Sequence, residues 1–77
     1  MKLTYDEEVD AVYIYLKSKI NPGEVKKTYS CNNEEIEGII NLDFDDKMKL
    51  IGIEILEAKN KLPSILIENL KKQIDKS

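Results

Sequence analysis

Carboxylates are the side chains of this sequence with the widest capacity for chemistry. Asp43, Asp45 and Asp46 occupy almost adjacent positions, as in part of a calcium-binding loop. The central glycine and the distal bidentate glutamate of such a loop are missing at the required spacing. Aspartate is also common in hairpin turns, where its side chain accepts hydrogen bonds from nearby backbone N–H groups. We therefore favour a solvated turn over a calcium site.

A second group of carboxylates is spread over several predicted strands. Asp43 and Glu54 project from the same face of a predicted sheet, where a loose pair of carboxylates could bind a divalent ion or transfer protons. The structural alternative is a polar outer face. Asp6 and Asp10 could add to such a site, but we expect each to cap a turn through the neighbouring backbone. We assign no catalytic residue, no metal ligand and no cofactor.

Tyrosine is frequent for so short a chain, at Tyr5, Tyr13, Tyr15 and Tyr29. Tyr13 and Tyr15 share a face of their strand, because successive side chains of a strand point to opposite faces. Tyr29 on a neighbouring strand would extend them into an aromatic patch. Such patches serve protein interfaces, or stack on single-stranded nucleic acid where the groove is positive. Ordinary half-buried sheet packing is the structural alternative.

The residue types that the sequence lacks disfavour several classes of function. It contains no histidine and no arginine, and its net charge is −3. Arginine is the usual reader of phosphates and guanine edges, so nucleic-acid binding is disfavoured. Without histidine, the commonest zinc ligand is missing, and Cys31 lacks an obvious activating base. As the only cysteine, Cys31 also cannot form an internal disulfide.

Length and hydropathy indicate a single small domain spanning residues 1–77. A chain this short buries a smaller fraction of its surface on folding than a larger domain does, so an oligomer interface is a plausible supplement to its stability. Its N-terminus has no apolar signal core, and no stretch approaches the ~20 apolar residues that span a bilayer. We therefore expect a cytoplasmic protein without a membrane segment.

Alternating apolar residues predict about five antiparallel strands in meander-like hairpins. The second strand is apolar on both faces, which indicates a central or doubly covered position. The third contains lysines and alternates weakly, as edge strands do. A turn is predicted at residues 21–23 and a loop at 32–35. The predicted strands occupy residues 2–5, 11–16, 24–31, 39–44 and 50–56.

The last two strands form the clearest hairpin, because their isoleucines must share one buried face. That condition places Leu42 opposite Ile51 and Ile40 opposite Ile53, with a connection of two or four residues. Gly52 then lies opposite Asn41, where the sheet has little side-chain cover.

One C-terminal helix is predicted from Pro63 to Ile74, or about residue 75. Leu66, Ile67, Leu70 and Ile74 recur at helical spacing on one of its faces. Proline suits a first helical turn. The apolar face must cover one side of the sheet. The fold class is therefore α+β, with one helix packed on one face of an antiparallel sheet.

Three phrases of the sequence occur together in a specific order. They are residues 3–16 (beginning Leu-Thr-Tyr-Asp), 38–43 (Gly-Ile-Ile-Asn-Leu-Asp) and 50–58 (Leu-Ile-Gly-Ile-Glu-Ile-Leu-Glu-Ala). With them, residues 2 to about 60 resemble the prokaryotic family of small domains of unknown function numbered 2283. The resemblance implies a compact antiparallel sheet with a helix and supplies no activity. The chain departs from the pattern at Glu7, usually proline, and at Met48, usually glycine. The missing glycine weakens the case for a left-handed residue at position 48.

Our leading functional hypothesis is a non-catalytic interaction module that binds a protein partner or a second copy of itself. Its surface would be the tyrosine-bearing sheet face or an edge strand. Because some members of the resembling family are encoded beside toxin-like proteins, the resemblance implies an antitoxin-like partner role as an alternative. A small divalent-metal-binding or acid–base enzyme using the clustered carboxylates is the third hypothesis.

Overall fold

The computed structural model describes residues 1–31 and 39–76, with the backbone alone over 73–76. The predicted loop at 32–35 lies outside these residues. The strands are Lys2–Asp6 (β1), Ala11–Tyr15 (β2), Lys27–Cys31 (β3), Ile40–Phe44 (β4) and Leu50–Leu56 (β5). The helices are Ala58–Lys61 (α1) and Ser64–Lys76 (α2).

All five strands form one antiparallel sheet in the order β1-β2-β5-β4-β3. The prediction of a five-stranded antiparallel sheet in an α+β fold is confirmed. Strands β3, β4 and β5 follow one another as a meander, but the β1–β2 hairpin joins them beside β5. Strand β2 is therefore internal and β3 is an edge, as their residue patterns predict. Residues 16–26 connect β2 to the far edge, and the predicted turn within them contains Gly23 at φ 82°.

The register predicted for the last hairpin is wrong by two residues. Leu42 lies opposite Ile53 and Ile40 opposite Ile55, so that Gly52 faces Asp43 instead of Asn41. A shift of two residues keeps every side chain on its expected face. The physical reason is an irregularity after Asp43, where Phe44 pairs with Leu50 and a five-residue connection follows.

The connection between β4 and β5 is organised by one aspartate. The Asp45 carboxylate accepts hydrogen bonds from the backbone N–H groups of Lys47 and Lys49, each at 2.9 Å. Both hydrogen bonds lower the pKa of Asp45 below its usual range, and the bond from Lys49 has the larger effect. Met48 adopts a left-handed conformation, φ 62°. The position is left-handed although methionine occupies it in place of the usual glycine. The predicted aspartate turn is thus present.

Both helices pack on the same face of the sheet. Helix α2 begins directly after Pro63, close to the predicted start, and the Ile74 side chain lies outside the described part. Neither helix in the described residues is long and apolar enough to cross a membrane. The core beneath the helices consists of Tyr5, Val12, Ile55, Ala58, Ile67 and Leu70.

Helix α1 was not predicted, since the sequence suggests only one helix. Its four residues are too few to show helical periodicity. It is positioned by a distant residue: the Asp10 carbonyl accepts a hydrogen bond from the Ala58 N–H at 2.9 Å, and the Asp10 carboxylate accepts one from the Lys59 N–H at 3.1 Å. Asp10 and Glu57 both adopt left-handed backbone conformations at this junction.

Candidate functional site

The sheet face opposite the two helices is the candidate site, and we call it the open face. Side chains alternate along each strand, so the registers decide which residues share this face. It combines aromatic, carboxylate, amide and hydroxyl groups. Its members are Lys2, Thr4, Asp6, Ala11, Tyr13, Tyr15, Thr28, Ser30, Asn41, Asp43, Gly52, Glu54 and Leu56.

The phenol of Tyr13 crosses a neighbouring strand to reach a carboxylate. Its Oη atom donates a hydrogen bond of 2.6 Å to Oδ2 of Asp43, although β5 lies between their strands. The ring passes over Gly52: a Cβ atom on Gly52 would lie 2.0 Å from the Tyr13 Oη atom. Glycine is therefore required at this position of the strand, because only a residue without a side chain leaves room for the ring.

A third residue completes this chain of hydrogen bonds. The Thr28 hydroxyl donates to Oδ1 of Asp43 at 2.6 Å, so both oxygens of the carboxylate accept a hydrogen bond. Side chains from β2, β4 and β3 are thereby linked across four strands of the sheet. The linkage fixes the Asp43 and Tyr13 side chains in one arrangement.

Glu54 lies beside these hydrogen bonds, on the central strand β5 of the open face. Its backbone is directly opposite Tyr13 on β2 and Asn41 on β4. The Asn41 side-chain amide donates a hydrogen bond of 2.9 Å to its Oε1 atom. Glu54 and Asp43 share the face, as the alternation predicts, and each carboxylate is bound to uncharged donors.

The environment of Tyr13 keeps its phenol protonated. Partial burial raises the pKa of Tyr13 most, followed by the hydrogen bond to Asp43 and the negative charge of that carboxylate. Glu54 adds a smaller contribution of the same sign. Tyr13 is therefore a stable hydrogen-bond donor at neutral pH and is poorly suited to act as a general base.

Tyr15 forms the aromatic part of the face together with Tyr13. The two ring centroids are 4.8 Å apart with planes at 65°, an edge-to-face contact. The Lys2 ammonium lies 4.9 Å from the Tyr15 ring centroid. The two rings and Ile20 line a shallow depression of about 180 Å³, which we call the tyrosine hollow.

The structure places the other two tyrosines elsewhere. Tyr5 is buried in the core under the helices, and its hydroxyl donates to the Asp10 carboxylate at 2.8 Å. Burial, with this hydrogen bond, raises the pKa of Tyr5 to about 12. Tyr29 is 59% exposed but lies opposite Leu42, on the helix-bearing side of the sheet. Only Tyr13 and Tyr15 thus come together on the open face.

The four candidate carboxylates are not assembled into one site. Asp6 accepts a hydrogen bond from the Glu8 N–H at 3.0 Å and caps the first turn, as its position predicts. The Asp10 carboxylate instead bonds to Tyr5 and Lys59, joining the β1–β2 turn to α1. Among the side chains of residues 1–31 and 39–72, no cluster of three or more metal-ligating groups is present.

Several members of the open face carry no obvious sequence signal. Thr28 and Asn41 are ordinary strand residues, and Ile20, which lines the tyrosine hollow beside them, is an ordinary loop residue. Gly52 is the exception, because glycine inside a strand often marks the close approach of another group. In this sheet the group is the Tyr13 ring.

The described geometry uses residues from each of the three phrases that suggested a family. Tyr13 comes from the first, Asp43 from the second, and Gly52 and Glu54 from the third. Neither a curated protein nor a solved structure matches the chain. A family model described as "Protein of unknown function (DUF2283)" matches residues 2–59, most of the chain. The chain therefore belongs to the DUF2283 family.

Proposed function

We propose that this chain is a non-catalytic interaction module that binds a protein partner, or a second copy of itself, through the open face. One observation carries the proposal: both described helices pack on the other face, while the open face presents an ordered set of tyrosines and carboxylates. Tyrosine is enriched in protein interfaces because its ring is large and its hydroxyl is polar.

The order of this surface supports binding. Tyr13, Asp43 and Thr28 hold one another through two hydrogen bonds of 2.6 Å, and Asn41 holds Glu54. Side chains that are already fixed lose little conformational entropy when a partner binds. The side chains of the open face therefore need little further ordering when a partner binds.

The dimensions of the molecule also suit an interface. Its extents are 35 × 34 × 18 Å, so the sheet with its helix layer forms a thin slab. A standard interface buries about 800 Å² on each partner, which the broad side of such a slab provides. A thin slab also exposes much surface for its size, which a partner would bury.

The experiment compares the wild type with Tyr15→Ala, and uses Tyr29→Ala as the matched control on the opposite side of the sheet. Size-exclusion chromatography with light scattering measures self-association up to high micromolar concentration. Capture from the native host measures binding to other proteins. We expect a dimer or a captured partner that Tyr15→Ala loses and Tyr29→Ala keeps. A monomer whose captured proteins are the same for all three chains would contradict the proposal.

The antitoxin-like role is a narrower form of the same proposal, and it rests on the family resemblance. In this form the partner is a toxin protein, which should co-purify with the chain when the two are co-expressed.

The cytoplasmic location is likewise a prediction, which fractionation of the native host tests. A chain recovered only outside the cytoplasm would contradict it.

The carboxylate enzyme has less support from the geometry. Three of the four carboxylate oxygens of Asp43 and Glu54 already accept a hydrogen bond, from Tyr13, Thr28 or Asn41. Calorimetry with calcium, magnesium and manganese provides a direct test. Saturable heat that Asp43→Asn removes would revive this hypothesis.

A further inference from the structure

We infer that the tyrosine hollow binds the ammonium group of a lysine side chain from a basic segment of the partner. This inference rests on the proposed function, since it identifies the chemistry of the partner at the open face. It is drawn from the ring geometry, the neighbouring carboxylates and the position of one lysine of the chain itself.

The ring geometry favours a cation. Tyr13 and Tyr15 meet at 65°, so their π faces point in different directions around the hollow. The face of an aromatic ring carries negative electrostatic potential and attracts an ammonium group within about 6 Å of its centroid. Ile20 supplies an apolar wall that suits the methylene stem of a lysine.

The surrounding charges strengthen this preference. The Asp43 carboxylate accepts a hydrogen bond from the Tyr13 hydroxyl, which shifts electron density toward the phenol oxygen and ring. Glu54 lies directly opposite Tyr13 on the adjacent strand. Burial raises the pKa of Tyr13 most, and the Asp43 and Glu54 charges raise it further. The field of these two carboxylates at the ring opposes an anion and favours a cation. The chain as a whole is also acidic, with net charge −3.

One cation of the chain already uses this surface. The Lys2 ammonium lies 4.9 Å from the Tyr15 ring centroid, and Lys2 itself is exposed on the edge strand β1. This contact shows that the Tyr15 ring accepts an ammonium group. Because Lys2 competes for the ring and repels a second cation, its removal should strengthen binding of an external lysine.

The size of the hollow restricts the ligand to a single side chain. Its volume of about 180 Å³ is below the ~300–1,000 Å³ typical of small-molecule and cofactor sites. A shallow hollow on a broad face instead suits one anchoring residue within a larger protein interface. A lysine fits this description in length, shape and charge.

The test titrates the full chain with N-acetyl-lysine methylamide and follows the tyrosine ring signals by NMR at constant ionic strength. N-acetyl-norleucine methylamide is the uncharged control probe, because it replaces the ammonium by a methyl group. We expect saturable shifts of the Tyr13 and Tyr15 rings with the lysine probe and at least fivefold smaller shifts with the norleucine probe.

Variants assign the effect to the rings. Tyr15→Leu should reduce the shift of Tyr13 at least fivefold, whereas Tyr15→Phe, which keeps the ring, and Tyr29→Leu, on the other side, should retain it. Lys2→Met should increase the affinity for the lysine probe about twofold. The backbone spectrum of each variant checks that the sheet is intact.

Equal shifts with both probes, or shifts that persist unchanged in Tyr15→Leu, would overturn the inference. Absence of any ring shift with the lysine probe would overturn it too. In either case the interaction proposal survives if Tyr15→Ala still loses a partner in the capture experiment. If the lysine probe binds but neither a partner nor a dimer is found, the lysine inference stands and the interaction proposal fails.

Discussion

Tyr13 and Asp43 lie on strands separated by β5, and yet the phenol and the carboxylate share a hydrogen bond of 2.6 Å. The contact is possible because Gly52 lies opposite Asp43, so that no side chain of β5 stands between the phenol and the carboxylate. The hydrogen bond and the glycine therefore depend on each other.

Gly52→Ala should destabilise the protein by about 1–3 kcal/mol, as overpacking of an ordered site does. The added Cβ would lie 2.0 Å from the Tyr13 Oη atom and displace the ring from Asp43. Urea unfolding measures the loss. The control is the double variant Gly52→Ala/Tyr13→Ala, in which the alanine at 52 should have little further effect because the obstructing ring is absent. Equal losses in both backgrounds would contradict this account.

Tyr13→Phe should lower stability by about 1 kcal/mol at neutral pH, because one donor to Asp43 is removed. The variant should also change the alkaline pH dependence. The pKa of Tyr13, like that of Tyr5, is higher in the folded chain than the unfolded value of about 10. The resulting stability is present below about pH 10 and is lost as the pH rises through the folded-state pKa.

The measurement for this prediction is the urea midpoint between about pH 8 and pH 12. Wild type should lose stability more steeply above about pH 10 than Tyr13→Phe, since lysine titration is common to both chains and cancels in the difference. Parallel curves for the two chains would mean that the Tyr13 phenol does not titrate differently on folding.

Met48→Gly should stabilise the protein by about 1 kcal/mol. Met48 is held at φ 62° and is 58% exposed, so glycine relieves backbone strain with little loss of packing. Lys47→Gly is the matched control in the same turn, where the backbone is not left-handed and glycine only adds flexibility to the unfolded chain. Thermal unfolding should rise for the first variant and fall for the second; the reverse order would be inconsistent with the turn geometry.

Asp10→Ala should reduce stability by about 2 kcal/mol, because the carboxylate accepts hydrogen bonds from both the Tyr5 hydroxyl and the Lys59 N–H. Asp10→Asn should have a smaller effect, since asparagine tolerates the left-handed backbone at this position and keeps an acceptor. Urea unfolding of the two variants and of Tyr5→Phe separates these contributions. An Asp10→Ala variant as stable as wild type would show that α1 is held by other contacts.

Much of the fold follows from alternation along the strands, which assigns the face of each side chain. Alternation cannot detect a register error of two residues, because Leu42 faces the helices whether it pairs with Ile51 or with Ile53. The irregularity at Phe44 and the five-residue connection decide between these registers. Neither has a distinct signal in the sequence, since the left-handed residue of the connection is Met48 and not glycine.

Long-range pairing accounts for the other differences. Adjacency of β2 and β5 is not implied by any short connection, so the strand order could not be predicted from hairpins alone. For the same reason, the sequence indicates that Asp43 and Glu54 share a face but does not indicate the bond between Tyr13 and Asp43. Helix α1 depends on Asp10, which lies 49 residues before Lys59.

The strand order also determines when the sheet becomes complete during synthesis. Strand β2 has β1 on one side, and its other neighbour is β5, the last strand to be made. Until Leu50–Leu56 has left the ribosome, the β1–β2 hairpin and β3–β4 have no common partner and their apolar residues have no core to enter. Closing the sheet requires contacts between distant parts of the chain, which slows folding. The order of the strands therefore makes this domain one that folds after β5 has been released, rather than progressively from its N-terminus.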